Sequence, residues 1–299
     1  MATRNSKKTV KSSASSQETV GRLAKNFHLT FIPERIHLGG MLKYAANSGV
    51  YDMNAIAEET GIPTGKSSGK AIPTANYAIG MGLVAMQPVG EKKDRKFVLT
   101  LTDLGRAVYL GDHFLQEELT QWLAHFYLCN KNTGADFWYQ FFWNASSAFG
   151  GKFIYGDLID WLKAETGAKD AEKAITPAIR MYSDLSSFAT CGAVMVEHGI
   201  ATRKPAPLNP SYAIGYAAWL SDLMEKSGLV TGHQTTVDDL ENICGFRAVT
   251  SWSLKDSQDA LSMMEDKGLV AVDRHMQPWI VTFKFASSQL WTRLYEEFI

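Results

Sequence analysis

The stretch MNAIAEETGIPTGKSSGKAIPTANYAIGMGLVAMQPVGEKKDRKFVLTL, running from Met53 to Leu101, decides the fold. Apolar residues recur at helical spacing over Met53–Thr60, with Ala55, Ile56 and Ala57 inward and Glu58 and Glu59 outward. Gly61-Ile62-Pro63 stops that helix, because glycine accepts a left-handed cap and proline cannot continue the ladder. A second helix is predicted over Ala71–Met81, ended by Gly82. Two β-rich runs follow, Leu83–Gln87 and Phe97–Leu101, joined by the largely basic turn Gly90–Lys96. An earlier apolar helix over Met41–Asn47 completes a winged helix-turn-helix. In that motif the third helix enters a DNA major groove while the basic hairpin meets phosphates. With Ala75, Ile79 and Gly82 inward, Lys70, Thr74 and Tyr77 point outward. Lys66 flanks the same helix, and Lys92, Lys93, Arg95 and Lys96 form the wing. These eight residues are the candidate DNA-binding set.

Outward from that stretch, the chain falls into five parts. Residues 1–25 are rich in Ser, Thr and Lys without apolar periodicity, and read as a flexible basic tail. Residues 26–112 hold the N-terminal winged helix-turn-helix, and within them Phe27, Leu29 and Phe31 alternate as in a strand that Pro33 breaks. Residues 113–203 read as a helical middle region, with helices around Asp157–Glu165 and Ala171–Phe188. Its aromatic run Phe137–Trp143 reads as core or subunit interface, since the rings are consecutive rather than spaced along a basic groove. Asp157 and Asp160 share a helix face; such a pair can hold a divalent metal, though a solvated pair is the commoner case. The proline-rich segment 204–210 reads as a linker, and 211–299 as a C-terminal winged-helix-like domain. There helices are expected over Tyr212–Lys226, Val237–Ile243 and Leu254–Lys267, with strands Leu269–Val272 and Trp279–Phe283.

Three helix endings echo one another: Met81-Gly82-Leu83-Val84, Ser227-Gly228-Leu229-Val230 and Lys267-Gly268-Leu269-Val270. The fold class is therefore mainly α with small β wings, multi-domain, built from repeated winged helix-turn-helix units. In the last unit the presumed reading helix carries Asp256, Asp259, Glu265 and Asp266 against Lys255 and Lys267. Such a face repels phosphate and suits a protein contact.

Composition narrows the function classes. The 299 residues are 45% hydrophobic and 11% aromatic, values of a globular chain, and no apolar run is long enough to span a bilayer. The polar, basic start has no signal-peptide core, and Cys129, Cys191 and Cys244 are few and scattered, so a cytoplasmic location is expected, with no membrane partner. Net charge is −1, so affinity for nucleic acid must come from local patches. No nucleotide-binding loop, hydrolase elbow, zinc site or kinase signature is present. The residues alone lead to a DNA-binding or adaptor protein.

Several stretches extend this. They are Asn26-Phe27-His28-Leu29-Thr30-Phe31, Leu101-Thr102-Asp103-Leu104-Gly105, Gly111-Asp112-His113-Phe114-Leu115, Trp122-Leu123-Ala124-His125-Phe126 and Phe137-Trp138-Tyr139-Gln140-Phe141-Phe142. In order and spacing the chain resembles, over roughly Asn26–Phe283, the SspB-like DNA-nicking family of bacterial DNA-phosphorothioation (Ssp) phage-defence systems. The resemblance implies an endonuclease that nicks one strand of double-stranded DNA so that sulfur can replace a backbone oxygen. It also implies partner subunits that transfer sulfur and hydrolyse ATP. Under it His28 becomes the candidate acid or base, Arg35 the phosphate clamp, and Glu34 or Asp112 a base or a ligand for Mg²⁺ or Mn²⁺. His37 lies in the same small polar group as His28, Glu34 and Arg35. Two other readings stand beside it: a non-catalytic DNA-binding adaptor or transcriptional regulator, and a protein-interaction scaffold.

Overall fold

A computed structural model of the chain describes residues 21–65, 69–91 and 94–298. It is mainly helical with small antiparallel sheets. Helix α1 (Arg35–Ala46) begins just past Pro33, earlier than its apolar residues alone suggest. Helix α2 (Met53–Thr60) is capped by Asp52, whose carboxylate accepts from the amides of Asn54 and Ala55, and is closed by Gly61 at φ +70°. Helix α3 (Ala71–Gly80) leads into the hairpin of β1 (Val84–Val89) and β2 (Lys96–Leu101). Thr102 then caps α4 (Asp103–Gly111) through the Gly105 amide.

The middle of the chain holds α5 (Glu118–Leu128) and the short α6 (Asp136–Trp138), which runs on as a π-helical turn over Tyr139–Trp143. Strand β3 (Lys152–Ile154), helices α7 (Tyr155–Thr166) and α8 (Ala171–Arg180), and strands β4 (Val194–Glu197) and β5 (Ile200–Arg203) follow. The last third holds α9 (Ala213–Lys226), β6 (Gln234–Thr236), α10 (Val237–Cys244), α11 (Leu254–Asp266), β7 (Val270–Asp273), β8 (Ile280–Phe283) and α12 (Ser287–Trp291). Capping boxes start α10 at Thr236 and α11 at Ser253, each with an aspartate three residues on that returns to the cap amide.

One succession recurs three times: helix, strand, helix, helix, strand, strand. The sheets run β3–β5–β4 and β6–β8–β7, and in the first third Val50 bridges to Val98 of β2, giving the same order. The three glycine endings share one geometry. Gly82, Gly228 and Gly268 sit at φ +69°, +97° and +70°. In each case the next leucine amide reaches back five residues, Leu83 to Ala78, Leu229 to Met224 and Leu269 to Met264, at 3.0–3.1 Å. The first and third close the last helix before a hairpin, whereas Gly228 closes the opening helix of its unit.

The buried residues form one continuous cluster along the chain. Helix α5 is buried from Leu119 to Leu128, and α9 lies against it, with Phe126 and Trp219 rings 4.5 Å apart. Phe137, Trp138, Phe141 and Phe142 belong to this core, so the aromatic run fills the interior. Cys129, Cys191 and Cys244 are buried and free.

Several expectations need correction. The middle region is not purely helical, since it contains the β3–β5–β4 sheet. Helix α8 stops at Arg180, because the Asp184 carboxylate accepts from the amide and hydroxyl of Ser186 and turns the chain instead. Phe27–Phe31 is a run of turns, not a strand, with Leu29 at φ +57°. At the end of the supposed tail, Leu23 bridges to Ala135, Arg22 pairs with Asp136 at 2.9 Å, and Lys25 donates to the Thr166 carbonyl; residues 1–20 of it lie outside the described residues. The 204–210 segment is laid onto the core. There the Ala206 amide donates to Thr250 O, Trp252 Nε1 to Ala206 O, and Tyr216 Oη to Pro207 O.

Candidate functional site

The N-termini of α1 and α3 meet. Glu34 is the residue before α1, Lys70 the residue before α3, and their side chains form an ion pair. The chain leading into α1 is fixed from both sides, since Tyr77 Oη donates to Phe31 O at 3.0 Å and Ser187 Oγ to Pro33 O at 2.7 Å. Arg35 donates through its amide to Ser186 O and through Nη2 to Leu185 O, both at 2.9 Å. Its Nε is buried with no hydrogen-bond partner.

His37 lies one turn into α1, with Nδ1 3.6 Å from Glu34 Oε2, an ion-pair approach too long for a hydrogen bond. Burial holds its pKa below the ordinary 6.5; the Glu34 carboxylate works against this and the Lys70 ammonium adds to it. At neutral pH His37 is therefore an uncharged imidazole beside a carboxylate and an ammonium. The two helix starts add partial positive charge. Such a group can accept a proton and hold an anion.

The other expected catalytic residues lie elsewhere. His28 is fully buried, edge-on to Phe27 at 5.2 Å and Trp138 at 6.0 Å, and neither ring nitrogen closes a hydrogen bond. Burial pulls its pKa down to about 4, against a small upward effect from the backbone of Ala174 and Lys25. It is a neutral core residue that no substrate reaches, so the acid–base expectation fails for it. Asp112 is buried too, its two oxygens accepting the Gln116 and Glu117 amides at 2.8 and 2.9 Å. Among the described residues no hydrogen bond or ion pair joins it to His28, Glu34 or Arg35. Of the four, Glu34 and Arg35 adjoin, and His37 belongs with them. Its three-residue spacing from Glu34 on one helix face was the available signal.

The groove-reading helix also needs correction. Thr74 and Tyr77 are buried, not outward. Thr74 Oγ1 donates to Lys70 O at 2.8 Å, and the Tyr77 ring packs on Phe27 at 4.8 Å and Trp138 at 5.8 Å. The segment ahead of α1 covers the side of α3 that helical periodicity leaves free, so only Ile72, Asn76 and Ile79 of α3 are partly open. Lys96 is exposed at the start of β2, and the Arg95 guanidinium lies 5.6 Å from the Phe97 ring. Lys66, Lys92 and Lys93 lie outside the described residues.

The described donors do not gather into a divalent-metal centre. No three His, Cys, Asp or Glu side chains gather among the described residues. Glu34 is neutralised by Lys70, both Asp112 oxygens serve amides, and Asp157 and Asp160 face outward with Asp160 paired to Lys163.

No protein-family model and no curated protein sequence matches the chain. Solved structures do. A crystal structure described as magnesium ion-bound SspB superposes with a TM-score of 0.65 at 16% identity, covering 91% of this chain and 86% of that one. A second SspB crystal structure gives 0.63 at 15% identity over the same shares. The fold is that of SspB.

Proposed function

We propose that the chain is a DNA-binding, strand-nicking protein of DNA phosphorothioate modification and phage defence, working in the cytoplasm with sulfur-transfer and ATPase subunits. The observation that carries the reading is the likeness to SspB over nine-tenths of the chain. The threefold succession of helix, strand, two helices and hairpin is then three winged helix-turn-helix units. No helix among the described residues is long and apolar enough to cross a membrane.

The chemistry belongs to the α1–α3 cluster. Nicking needs a base for the attacking oxygen, positive charge on the phosphate, and a proton for the leaving group. With Nδ1–H turned toward Glu34, His37 offers Nε2 as the base. Arg35 and Lys70 supply the charge, Lys70 after release from Glu34 by the incoming phosphate. As the water deprotonated by His37 forms its bond to phosphorus, the opposite P–O bond breaks and its oxygen takes a proton from the Lys70 ammonium. No step is assigned to Mg²⁺ or Mn²⁺, because the donor set does not build a site for either.

The test is conversion of supercoiled plasmid to open circle by the full chain with its partner subunits, with and without Mg²⁺ or Mn²⁺. His37→Gln and Lys70→Ala should lose nicking while keeping the fold. Full activity in both variants would remove the cluster from the chemistry. A second reading, a non-catalytic DNA-binding adaptor or regulator, is favoured by the Glu34–Lys70 pair, which neutralises the cluster at rest. It predicts salt-dependent DNA retention with intact backbone under every metal condition.

A further inference from the structure

We infer that α8, the third helix of the middle unit, is the helix that meets DNA and leads a strand to the α1–α3 cluster. This rests on the DNA reading above and replaces α3 as the reading helix. Three helices hold the equivalent position. Helix α3 is buried on nearly every side, and α11 shows Asp259 and Asp266 to solvent while Lys255 and Lys267 are paired to Asp259 and Glu297. On helix α8 Glu172, Lys173, Thr176 and Arg180 are exposed, Arg180 with no ion-pair partner among the described residues, while Ile175, Pro177 and Ala178 face the core.

These types fit a groove. Lysine and arginine donate to guanine edges and phosphates, glutamate accepts from cytosine, and threonine meets either class. The ten residues of α8 span about 15 Å. Cations mark both ends. Lys25 is held at the Thr166 carbonyl where α7 ends, and Arg35 is held at Leu185 in the turn after α8. Among the described residues neither they nor Arg180 has a carboxylate within ion-pair distance. The acids on this face are Asp170, paired with Lys173 at 3.8 Å, the exposed Glu172, and Asp184, which accepts from Ser186 and keeps its charge. The four cations Lys25, Lys173, Arg180 and Arg35 exceed those three acids by one, and Arg35 is the next residue to Glu34 of the cluster.

The experiment is fluorescence anisotropy of a labelled DNA duplex titrated with the full chain at several salt concentrations. Lys173→Glu with Arg180→Glu should weaken binding by at least about tenfold and lower the slope of log affinity against log salt by about 2. The milder pair Lys173→Ala and Arg180→Ala should move both in the same direction by less. Lys255→Glu on α11 should change neither. Both residues are exposed, so thermal unfolding should match the parent chain and separates lost contacts from lost fold. Undiminished binding in the α8 variants, with loss in Arg95→Glu plus Lys96→Glu, overturns the inference and leaves DNA on the wing. No binding by the parent chain at low salt overturns it together with the DNA reading.

Discussion

His28 and His37 are nine residues apart and have opposite fates, and the difference is burial. His28 spends its imidazole in a ring cluster with both nitrogens unpartnered. Its folded pKa of about 4 lies below the unfolded 6.5, so the unfolded chain binds the extra proton. The stability it supports is complete above pH 6.5 and drains away as pH falls toward 4. His125, buried and pulled to about 3, acts in the same direction. His28→Phe, which keeps the ring and removes the titration, should unfold at the same temperature or higher at neutral pH. It should also flatten part of the acid loss, by about 3 kcal/mol at most; thermal melts at pH 7 and pH 5 measure both. For His37 the depressed pKa keeps the base form present below pH 6.5, so the acid limb of nicking should have its midpoint under 6.5. A midpoint above 6.5 in a single-turnover pH profile would exclude His37 as the base.

At the scale of elements, local sequence was enough wherever a cap or a glycine set the boundary. Met53–Thr60, the three glycine endings and the Thr102 cap follow from groups a few residues apart. Gly105 shows where that stops. It lies inside α4, where a helix tolerates alanine, yet a Cβ there would stand 1.8 Å from Leu83 O. Gly268 has open space around it and only its φ of +70° to defend. Gly105→Ala should therefore cost about 3 kcal/mol or more, and Gly268→Ala about 1–2 kcal/mol. Urea unfolding ranks them, and equal costs would mean that α4 shifts freely from the first hairpin. The cover on α3 is the opposite case. A run of turns at 25–30 places the Phe27 ring on Tyr77 and brings Phe31 O to its hydroxyl, and nothing within α3 announces that neighbour.

Across the whole molecule the three units share a core, and Arg203 shows how they are joined. It leaves β5 almost fully buried, with Nη2 donating to Phe142 O at 2.8 Å and to Ala248 O at 2.5 Å, and its guanidinium lies near the rings of Phe141 and Phe142. No acid pairs with it within 4 Å among the described residues. Burial lowers its pKa to about 10, which leaves it charged at neutral pH. Two carbonyls from different units depend on one side chain. Arg203→Ala should cost about 2–5 kcal/mol through those unmet acceptors and the space left behind. Because the core is continuous, the parent chain should melt in one calorimetric transition, and the variant should lower or split it; an unchanged melt would show that the units hold together without this link.

By itself the sequence determined the kinds of element and most of their ends, since capping groups, glycines and apolar spacing act over a few residues. It also carried the likeness that the SspB superposition bears out as a fold. Tertiary structure alone decided exposure: that α3 is covered, that His28 is sealed among rings, that Glu34, His37 and Lys70 meet, and that the proline-rich segment lies on the core. The physical reason is that exposure depends on which distant segment arrives to pack against a surface. Helical periodicity tells two faces of a helix apart, but it holds no record of a neighbour from elsewhere in the chain.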